Sequence, residues 1–256
     1  MLTGRLSRHH HRWLTDHAVG DTVLLPGTAF LELALVAAEQ TGCAGVDELT
    51  LEVPLALPAS GGVPIQVRVD AADEDGRRPI TVHAQADAPD GPWRRHAAGV
   101  LATAGAAGAE LTAWPPADAT AVALDDFYQR AAADGFRYGP AFQGLRAAWR
   151  RGDEVYAEVA LPGSEHPNAG SYLVHPALLD AAVQAVRAGA VVDETVVDRL
   201  PFAFSGVTVH AAGATGLRVR LRRAGATGSA STSPTRRARR SPPSRPWRCD
   251  RSPPPT

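Results

Sequence analysis

The chain has 256 residues, enough for one large domain or two small ones, and 45% of them are hydrophobic, which supports a buried core. Its two cysteines, Cys43 and Cys249, build no disulfide framework, and the N-terminus shows no signal-peptide pattern, so we expect a cytoplasmic protein. The net charge of −1 is unevenly distributed. Residues 229–256 hold seven arginines and one acid, whereas the body before them has 19 basic and 26 acidic residues. Any nucleic-acid binding would therefore rest on the tail alone.

The first half is predicted to be one long helix followed by an antiparallel meander. The helix is expected over 28–40, because Pro26 suits a helix start, apolar residues recur at helical spacing, and Gly42 suits the end. The apolar segment 30–38 is too short to span a bilayer and contains Glu32, so no membrane contact is expected. Turn signals separate four predicted strands, which run over 48–57, 65–70, 80–86 and 96–102.

A Pro-rich linker over 113–121 is predicted to separate two halves of similar plan. The elements expected after it are a helix at 124–134, strands at 145–150 and 155–161, a long helix at 176–188, and strands at 202–210 and 217–222. We therefore divide the body into subdomains 1–112 and 122–228 and expect an α+β fold, in which each half is an antiparallel sheet with a buried helix.

His17 is the first candidate for chemistry. It follows Asp16 directly and precedes an apolar run, and histidine titrates near neutral pH, as a general base must. Gly20 suits a tight turn. The first amides of a helix that starts after Pro26 have no partner inside the helix, so the Gly27 N–H is available to polarise a thioester carbonyl. The alternative is a surface histidine beside a turn.

Asp180 is the second candidate. It lies inside the apolar segment HPALLDAAVQ, where an acid is unusual and needs a partner. Gln184 follows one helical turn later, so the two side chains share a face and can hydrogen-bond. Burial raises the pKa of a carboxylic acid, as a general acid requires. His175 and Pro176 at the helix start favour this interpretation over the alternative, a solvent-facing aspartate. With His17, Asp180 would supply the base and the acid of a β-elimination.

Four segments resemble, in order, the motifs of the dehydratase domains of modular type I polyketide synthases, over about residues 2–221. They are the His motif at 17–26, the segment GFRYGPAF at 135–142, the Asp motif at 175–184 and LPFAFSGV at 200–207. The resemblance implies a double hot-dog fold, two sheets each wrapped around a long central helix, with the active site between the halves. The chain departs from the family pattern at Asp21, Phe136 and Phe204, none of which is a proposed catalytic residue.

The resemblance also implies the reaction, which is loss of water from a β-hydroxyacyl chain on the phosphopantetheine arm of an acyl carrier protein. In that mechanism neutral His17 removes the α-proton, the Gly27 N–H stabilises the enolate, and protonated Asp180 donates to the departing hydroxyl. The orienting or substrate-positioning residues are expected to be Gln184, Tyr138, His175 and Pro26.

No metal or redox cofactor is expected, because loss of water needs only an acid and a base. The run His9–His10–His11 does not suit a metal, since consecutive residues do not converge on one ion, and we interpret it as a solvated loop. The resemblance implies a homodimer that works with an acyl carrier protein and the other domains of a polyketide synthase module. We interpret the chain as one domain of such a multifunctional enzyme, with neither nucleic acid nor membrane as a partner.

Two other interpretations stay open. One is another double hot-dog enzyme, a product-template cyclase or an enoyl isomerase, that uses the same His17 and Asp180. The other is an inactive module that only dimerises or holds partners. A separation of more than about 6 Å between the two residues, with no room for water or substrate, would favour the inactive module.

The tail 229–256 has an anomalous composition: seven Pro, seven Arg and six Ser. As written it predicts a disordered or polar extension. We favour a frameshift near 227–230, in the gene or in its recorded sequence. Back-translation of 231–252 with G or C in the third codon position, read one base earlier, gives VDVADAAGAPVAAVAAVALRPV. That sequence predicts two apolar closing strands joined by a turn, whereas the alternative is a native basic tail.

Overall fold

The computed structural model describes residues 1–85, 91–104, 114–189, 203–222 and 231–234. Within these ranges the helices are α1 (Gly27–Gln40), α2 (Phe127–Ala133), α3 (His166–Ala169) and α4 (Pro176–Ala188). The strands are β1 (Leu2–Leu6), β2 (His17–Val19), β3 (Thr22–Val23), β4 (Gly45–Leu51), β5 (Val63–Val69), β6 (Arg78–Gln85), β7 (Trp93–Ala102), β8 (Thr120–Val122), β9 (Phe136–Tyr138), β10 (Leu145–Arg151), β11 (Glu154–Ala160), β12 (Ala203–Thr208), β13 (Gly216–Arg222) and β14 (Ser231–Pro234).

The first sheet is antiparallel, with its strands in the order β1-β5-β6-β7-β4-β12, and α1 packs on β4, β5 and β7. Every residue of α1 from 28 to 38 is buried, including the polar Thr28 and Glu32. A helix that is buried all round lies inside the core rather than on its surface. The observed bounds of α1 match the predicted helix 28–40 to within one residue.

The second sheet is also antiparallel, with the order β14-β13-β11-β10-β8, and α4 packs on β10, β11 and β13. The bounds of α4 match the predicted helix 176–188. Its first residue is Pro176, which has no N–H; this costs the helix nothing, because the N–H at that position has no partner inside the helix. Gly189 ends the helix. The two long helices contact each other. The core therefore consists of two sheet-and-helix layers joined along α1 and α4.

A third, three-stranded sheet joins the two halves. Its order is β3-β2-β9, and β2 pairs with β9 so that His17 lies opposite Tyr138. The hairpin β2–β3 comes from the first half and β9 from the second. At its turn Gly20 adopts φ +57°, and its N–H donates to the Gly135 carbonyl at 2.8 Å. Asp21, the departure from the family pattern, forms an ion pair with Arg137 of β9.

The sheets do not divide cleanly between the predicted halves. Strand β12 lies in the segment assigned to 122–228, but it pairs with β4 and completes the first sheet. Gly45 permits this close pairing, because a Cβ there would lie 2.2 Å from the Val207 carbonyl oxygen. An uncovered β4 would be an open edge, so the strand from the second half supplies its hydrogen bonds.

Smaller differences concern short or edge strands. The segment before residue 17, for which no strand or helix was predicted, contains the edge strand β1 and a short 3-10 helix, Arg12–Asp16. The end of the predicted linker 113–121 overlaps β8, Thr120–Val122, which pairs with β10. Most of the tail 229–256 lies outside the described residues, apart from β14, which pairs with β13.

Candidate active site

The His17 ring is held by a hydrogen bond from its Nδ1 to the Leu24 carbonyl, at 3.0 Å. A carbonyl only accepts, so in the neutral ring Nδ1 carries the hydrogen and Nε2 has the free lone pair. The side chain is buried, and its ring centroid lies 5.0 Å from that of Phe142 and 6.0 Å from that of Tyr138. The hairpin therefore presents Nε2 of His17 as a base among aromatic rings.

The segment that carries Tyr138 is fixed by Asp16, the residue before the histidine. Its Oδ2 accepts from the Ala141 N–H at 2.8 Å, and its backbone carbonyl accepts from the Gly139 N–H at 2.7 Å. A Cβ on Gly139 would lie 2.5 Å from Cγ of Asp16, so only glycine allows this approach. Asp16 thus anchors the GFRYGPAF segment beside His17.

Pro26 and Gly27 form the start of α1, as predicted from their types. Pro26 is the N-cap residue in an extended conformation, and Gly27 is the first helical residue, whose N–H has no partner inside the helix. The backbone of Gly27 is closely covered, because a Cβ there would lie 2.8 Å from Cδ1 of Leu51 and 3.7 Å from the Phe204 ring. The family's usual Trp is Phe204 here, and its ring still covers this glycine.

Asp180 is buried on α4, and its Oδ2 accepts from Nε2 of Gln184 at 2.8 Å. Burial raises the pKa of the Asp180 carboxyl, while the charge of His17 and the hydrogen bond from Gln184 oppose that rise. Phe142 links the two candidates, since its ring packs on His17 and its carbonyl accepts from Gln184 at 3.1 Å. The fold thus brings together an imidazole that presents Nε2 and a carboxyl whose pKa burial raises.

His175 is completely buried at the N-cap of α4. Its Nδ1 accepts from the Ala177 N–H at 3.2 Å, and its ring packs on Tyr172 and Trp13, with centroid separations of 4.5 and 5.1 Å. Burial lowers the pKa of His175 to about 3, so the ring is neutral. The structure therefore connects His175 to Asp180 through the helix start rather than through a direct contact.

Sequence reasoning missed the contacts by which α1 holds the start of α4. Both carboxylate oxygens of Glu32 accept backbone N–H groups, from Leu173 at 2.8 Å and from Val174 at 3.0 Å. The Thr28 hydroxyl donates to the Pro176 carbonyl at 3.0 Å. In the sequence, Glu32 stood out only as the single acid in the apolar segment 30–38, the same signal that identified Asp180.

Tyr128 of α2 was missed as well, and no pattern in the sequence marks it. Its hydroxyl donates to Oε1 of Gln184 at 3.2 Å and accepts from the Leu145 N–H at 3.0 Å. Burial raises the pKa of Tyr128 to about 12, so the phenol stays protonated. Burial also raises the pKa of Tyr138. Both tyrosines are therefore hydrogen-bond donors near Asp180.

Three further observations bear on the expected absence of a metal and of a membrane partner. Among the described residues, no group of three or more His, Cys, Asp or Glu side chains is arranged to hold a metal ion. Of the His9–His10–His11 run, only the first two are exposed; His11 is buried, and its Nδ1 lies 3.2 Å from the Ser7 carbonyl oxygen. None of the helices within the described ranges is long and apolar enough to cross a bilayer.

Two family models match the chain. The model described as the polyketide synthase dehydratase domain matches residues 1–85, and the one described as the polyketide synthase dehydratase N-terminal domain matches residues 106–238.

Curated relatives include polyketide synthase GfsA of Streptomyces halstedii, 55% identical over 226 residues and 86% of this chain, and the pikromycin polyketide synthase component PikAII of Streptomyces venezuelae, 52% identical over 233 residues and 88% of this chain. The chain spans only 3% and 6% of the lengths of these two relatives.

Solved structures give the same result. The chain is 46% identical to a protein from work on dehydratase substrate selection for the borrelidin and fluvirucin polyketide synthases, with a TM-score of 0.83 and coverage of 90% of this chain and 81% of that one. It is 42% identical to the erythromycin dehydratase, with a TM-score of 0.79 and coverage of 90% and 86%. The predicted double hot-dog fold is confirmed, and the chain belongs to the polyketide synthase dehydratase domains.

Proposed function

We propose that this domain removes water from a β-hydroxyacyl thioester, carried on the phosphopantetheine arm of an acyl carrier protein, to give the 2-enoyl thioester. The observation that carries the proposal is the pairing, around Phe142, of a His17 ring with a free Nε2 and an Asp180 carboxyl whose pKa is raised by burial. A β-elimination needs an unprotonated base and a protonated acid together.

In the proposed reaction, Nε2 of His17 takes the α-proton as the electron pair of that C–H bond becomes the new C=C bond. The Cβ–O bond breaks, the Asp180 proton passes to the leaving oxygen, and water departs. The products are an imidazolium and a carboxylate, and one proton transfer between them, or through solvent, restores the starting state. The acid and the base are both supplied by the chain, so the proposal needs no metal or redox cofactor.

Three groups would assist these transfers. The Gly27 N–H at the start of α1 would donate to the thioester carbonyl, where charge develops as the α-proton leaves. The phenol of Tyr138, kept protonated by burial, would donate to the β-hydroxyl and hold it toward Asp180. Gln184 donates to Oδ2 of Asp180 and so stabilises the carboxylate that remains after the proton has left.

The test is turnover of a β-hydroxyacyl group loaded on an acyl carrier protein, with loss of water followed by mass spectrometry for both hydroxyl configurations. We expect turnover by the unchanged chain and at least about a thousandfold loss in His17→Ala and in Asp180→Asn. His96→Ala is the matched control, because His96 is also buried with Nδ1 on a backbone carbonyl, that of Val53 at 2.9 Å. A folded protein that releases no water from either configuration would contradict the proposal.

A second candidate function has one observation in its favour. The chain is 46% identical, with a TM-score of 0.81, to a bifunctional dehydratase-cyclase domain in ambruticin biosynthesis. A substrate with an additional hydroxyl further along the acyl chain would separate the two activities. Cyclisation leaves the mass of the enoyl product unchanged but removes its conjugated double bond, so absorbance and retention time distinguish the two products.

We also propose that the domain works inside a synthase module, as a homodimer with the acyl carrier protein as partner. The relatives it matches are far longer polyketide synthases, which supports the association with other domains. Light scattering on the purified chain tests the dimer, and a monomer at micromolar concentration would count against it.

A further inference from the structure

A single line of hydrogen bonds leads from a backbone amide to the Asp180 carboxyl. The Leu145 N–H donates to the Tyr128 oxygen at 3.0 Å, and the Tyr128 hydroxyl donates to Oε1 of Gln184 at 3.2 Å. Gln184 in turn donates through Nε2 to Oδ2 of Asp180 at 2.8 Å and to the Phe142 carbonyl at 3.1 Å.

The direction of every bond in this line is fixed by its ends. An amide N–H can only donate, so the Tyr128 oxygen accepts from Leu145, and its own proton is then available to the Gln184 oxygen, which can only accept. The Phe142 carbonyl can only accept, so the side of Gln184 that faces it must be the NH₂ group. A flip of the Gln184 amide would therefore bring its oxygen against the Phe142 carbonyl oxygen and would reverse the direction of the bonds to Tyr128 and Asp180.

We propose that Tyr128 is a positioning residue for the dehydration: by holding Gln184, it fixes Oδ2 of Asp180 as the acceptor oxygen and leaves Oδ1 to carry the acidic proton. This inference rests on the proposed function for its meaning in catalysis. The geometric part of the inference is independent of the proposed function, because the orientation of Gln184 and the protonation of Asp180 can be measured without turnover.

The surroundings of Asp180 support a role that acts through Gln184. The titratable groups near it in the described chain are His17 from β2, Tyr138 from β9 and Tyr128 from α2. Arginines act on the two phenols, Arg146 on Tyr128 and Arg187 on Tyr138. The hydrogen bond from Gln184 lowers the pKa of Asp180, against the effect of burial, so weakening that bond must raise the pKa further.

The experiment measures the titration of Asp180 by NMR of the ¹³C-labelled carboxyl, assigned with Asp180→Asn, in the unchanged protein and in Tyr128→Phe. We expect a higher pKa of Asp180 in Tyr128→Phe. Turnover should show kcat reduced about 10- to 100-fold, KM nearly unchanged, and the high-pH limb of kcat displaced upward. An unmoved Asp180 titration in a folded variant overturns the inference, whether or not the unchanged protein turns over.

Tyr156→Phe is the matched control. Its hydroxyl also accepts one donor, Arg151 at 2.7 Å, and donates to one acceptor, Glu154 at 2.6 Å, but it lies on the second sheet. We expect its kcat and its Asp180 titration to equal those of the unchanged protein. A kcat loss in Tyr128→Phe with both pH readouts unmoved means a purely structural role and overturns the proposal.

A second comparison does not depend on the stability of Tyr128→Phe alone. Gln184→Met fills similar space without hydrogen bonds, so it should raise the pKa of Asp180 by itself. If Tyr128 acts only through Gln184, adding Tyr128→Phe to Gln184→Met should change neither that pKa nor kcat further. Additive effects in the double variant would show an independent path and overturn the proposal.

Discussion

Replacement of Glu32 tests how the two halves are held together. The Glu32 side chain is only 1% exposed, and its two oxygens accept the N–H groups of Leu173 and Val174, just before the helix that carries Asp180. Glu32→Gln keeps one acceptor oxygen but presents an NH₂ group to the other N–H. Glu32→Met keeps the approximate shape and removes both acceptors.

The two variants should differ by a predictable amount. A hydrogen bond to a charged group is worth about 1.5–3 kcal/mol, so Glu32→Gln should lower the free energy of unfolding by roughly that amount. Glu32→Met leaves two buried donors unpaired at about 1–3 kcal/mol each, which predicts a loss of about 2–6 kcal/mol. Turnover should fall too, because the residues just before α4 would lose their hydrogen bonds to Glu32, and of the hydrogen bonds described above only that from Thr28 to the Pro176 carbonyl would still join the start of α4 to α1.

Urea unfolding followed by circular dichroism measures both losses, with midpoint and slope fitted separately. The control is Glu39→Gln, at an exposed position on the last turn of the same helix, which should stay within about 0.5 kcal/mol of the unchanged protein. If Glu32→Gln and Glu32→Met both stay within that range, Glu32 does not hold the halves together, and the argument from its two hydrogen bonds is wrong.

Other expectations follow from single contacts. Gly139→Ala should lower both the melting temperature and turnover, because its Cβ would lie 2.5 Å from Cγ of Asp16; an unchanged melting curve would show that Asp16 can move without cost. Burial lowers the pKa of His175 from 6.5 to about 3, so between those values the unfolded chain binds more protons and stability falls as pH falls. His175→Asn keeps the cap acceptor and removes the titrating ring. In urea titrations from pH 7 to 4 it should therefore lose less stability than the unchanged protein, by up to about 1.4 kcal/mol per pH unit. Resequencing across the codons for 227–230, with an intact mass, tests the frameshift: a mass equal to that of the printed sequence rejects an error in the record.

Local chemistry explains why the two long helices were predictable. In α1 and α4 the apolar spacing, the prolines at their starts and the glycines after their ends all indicate the same bounds. His17 and Asp180 were equally predictable as candidate site residues, because each is a titratable residue beside or within apolar sequence. The same signal at Glu32 was available, but it was used only to argue against a membrane span.

What the sequence could not provide was the pairing between distant segments. The pattern of residues 203–208 predicts a strand but says nothing about its neighbour, which is β4 of the other half. Strands as short as β9 carry no periodicity, so the placement of Tyr138 opposite His17 depends on tertiary contacts. Tyr128 is one aromatic residue in a short helix, and only the position of Gln184 gives its hydroxyl a partner.

The pairing of β12 with β4 has a consequence for synthesis of the protein. On the ribosome, β4 to β7 emerge first, but the edge of β4 stays open until Thr208, its partner at Gly45, has been made. At about 5–20 residues per second this leaves that edge uncovered for on the order of ten seconds. The first sheet is thus begun early and finished late, and during that interval a nascent chain on a neighbouring ribosome could compete for the same edge.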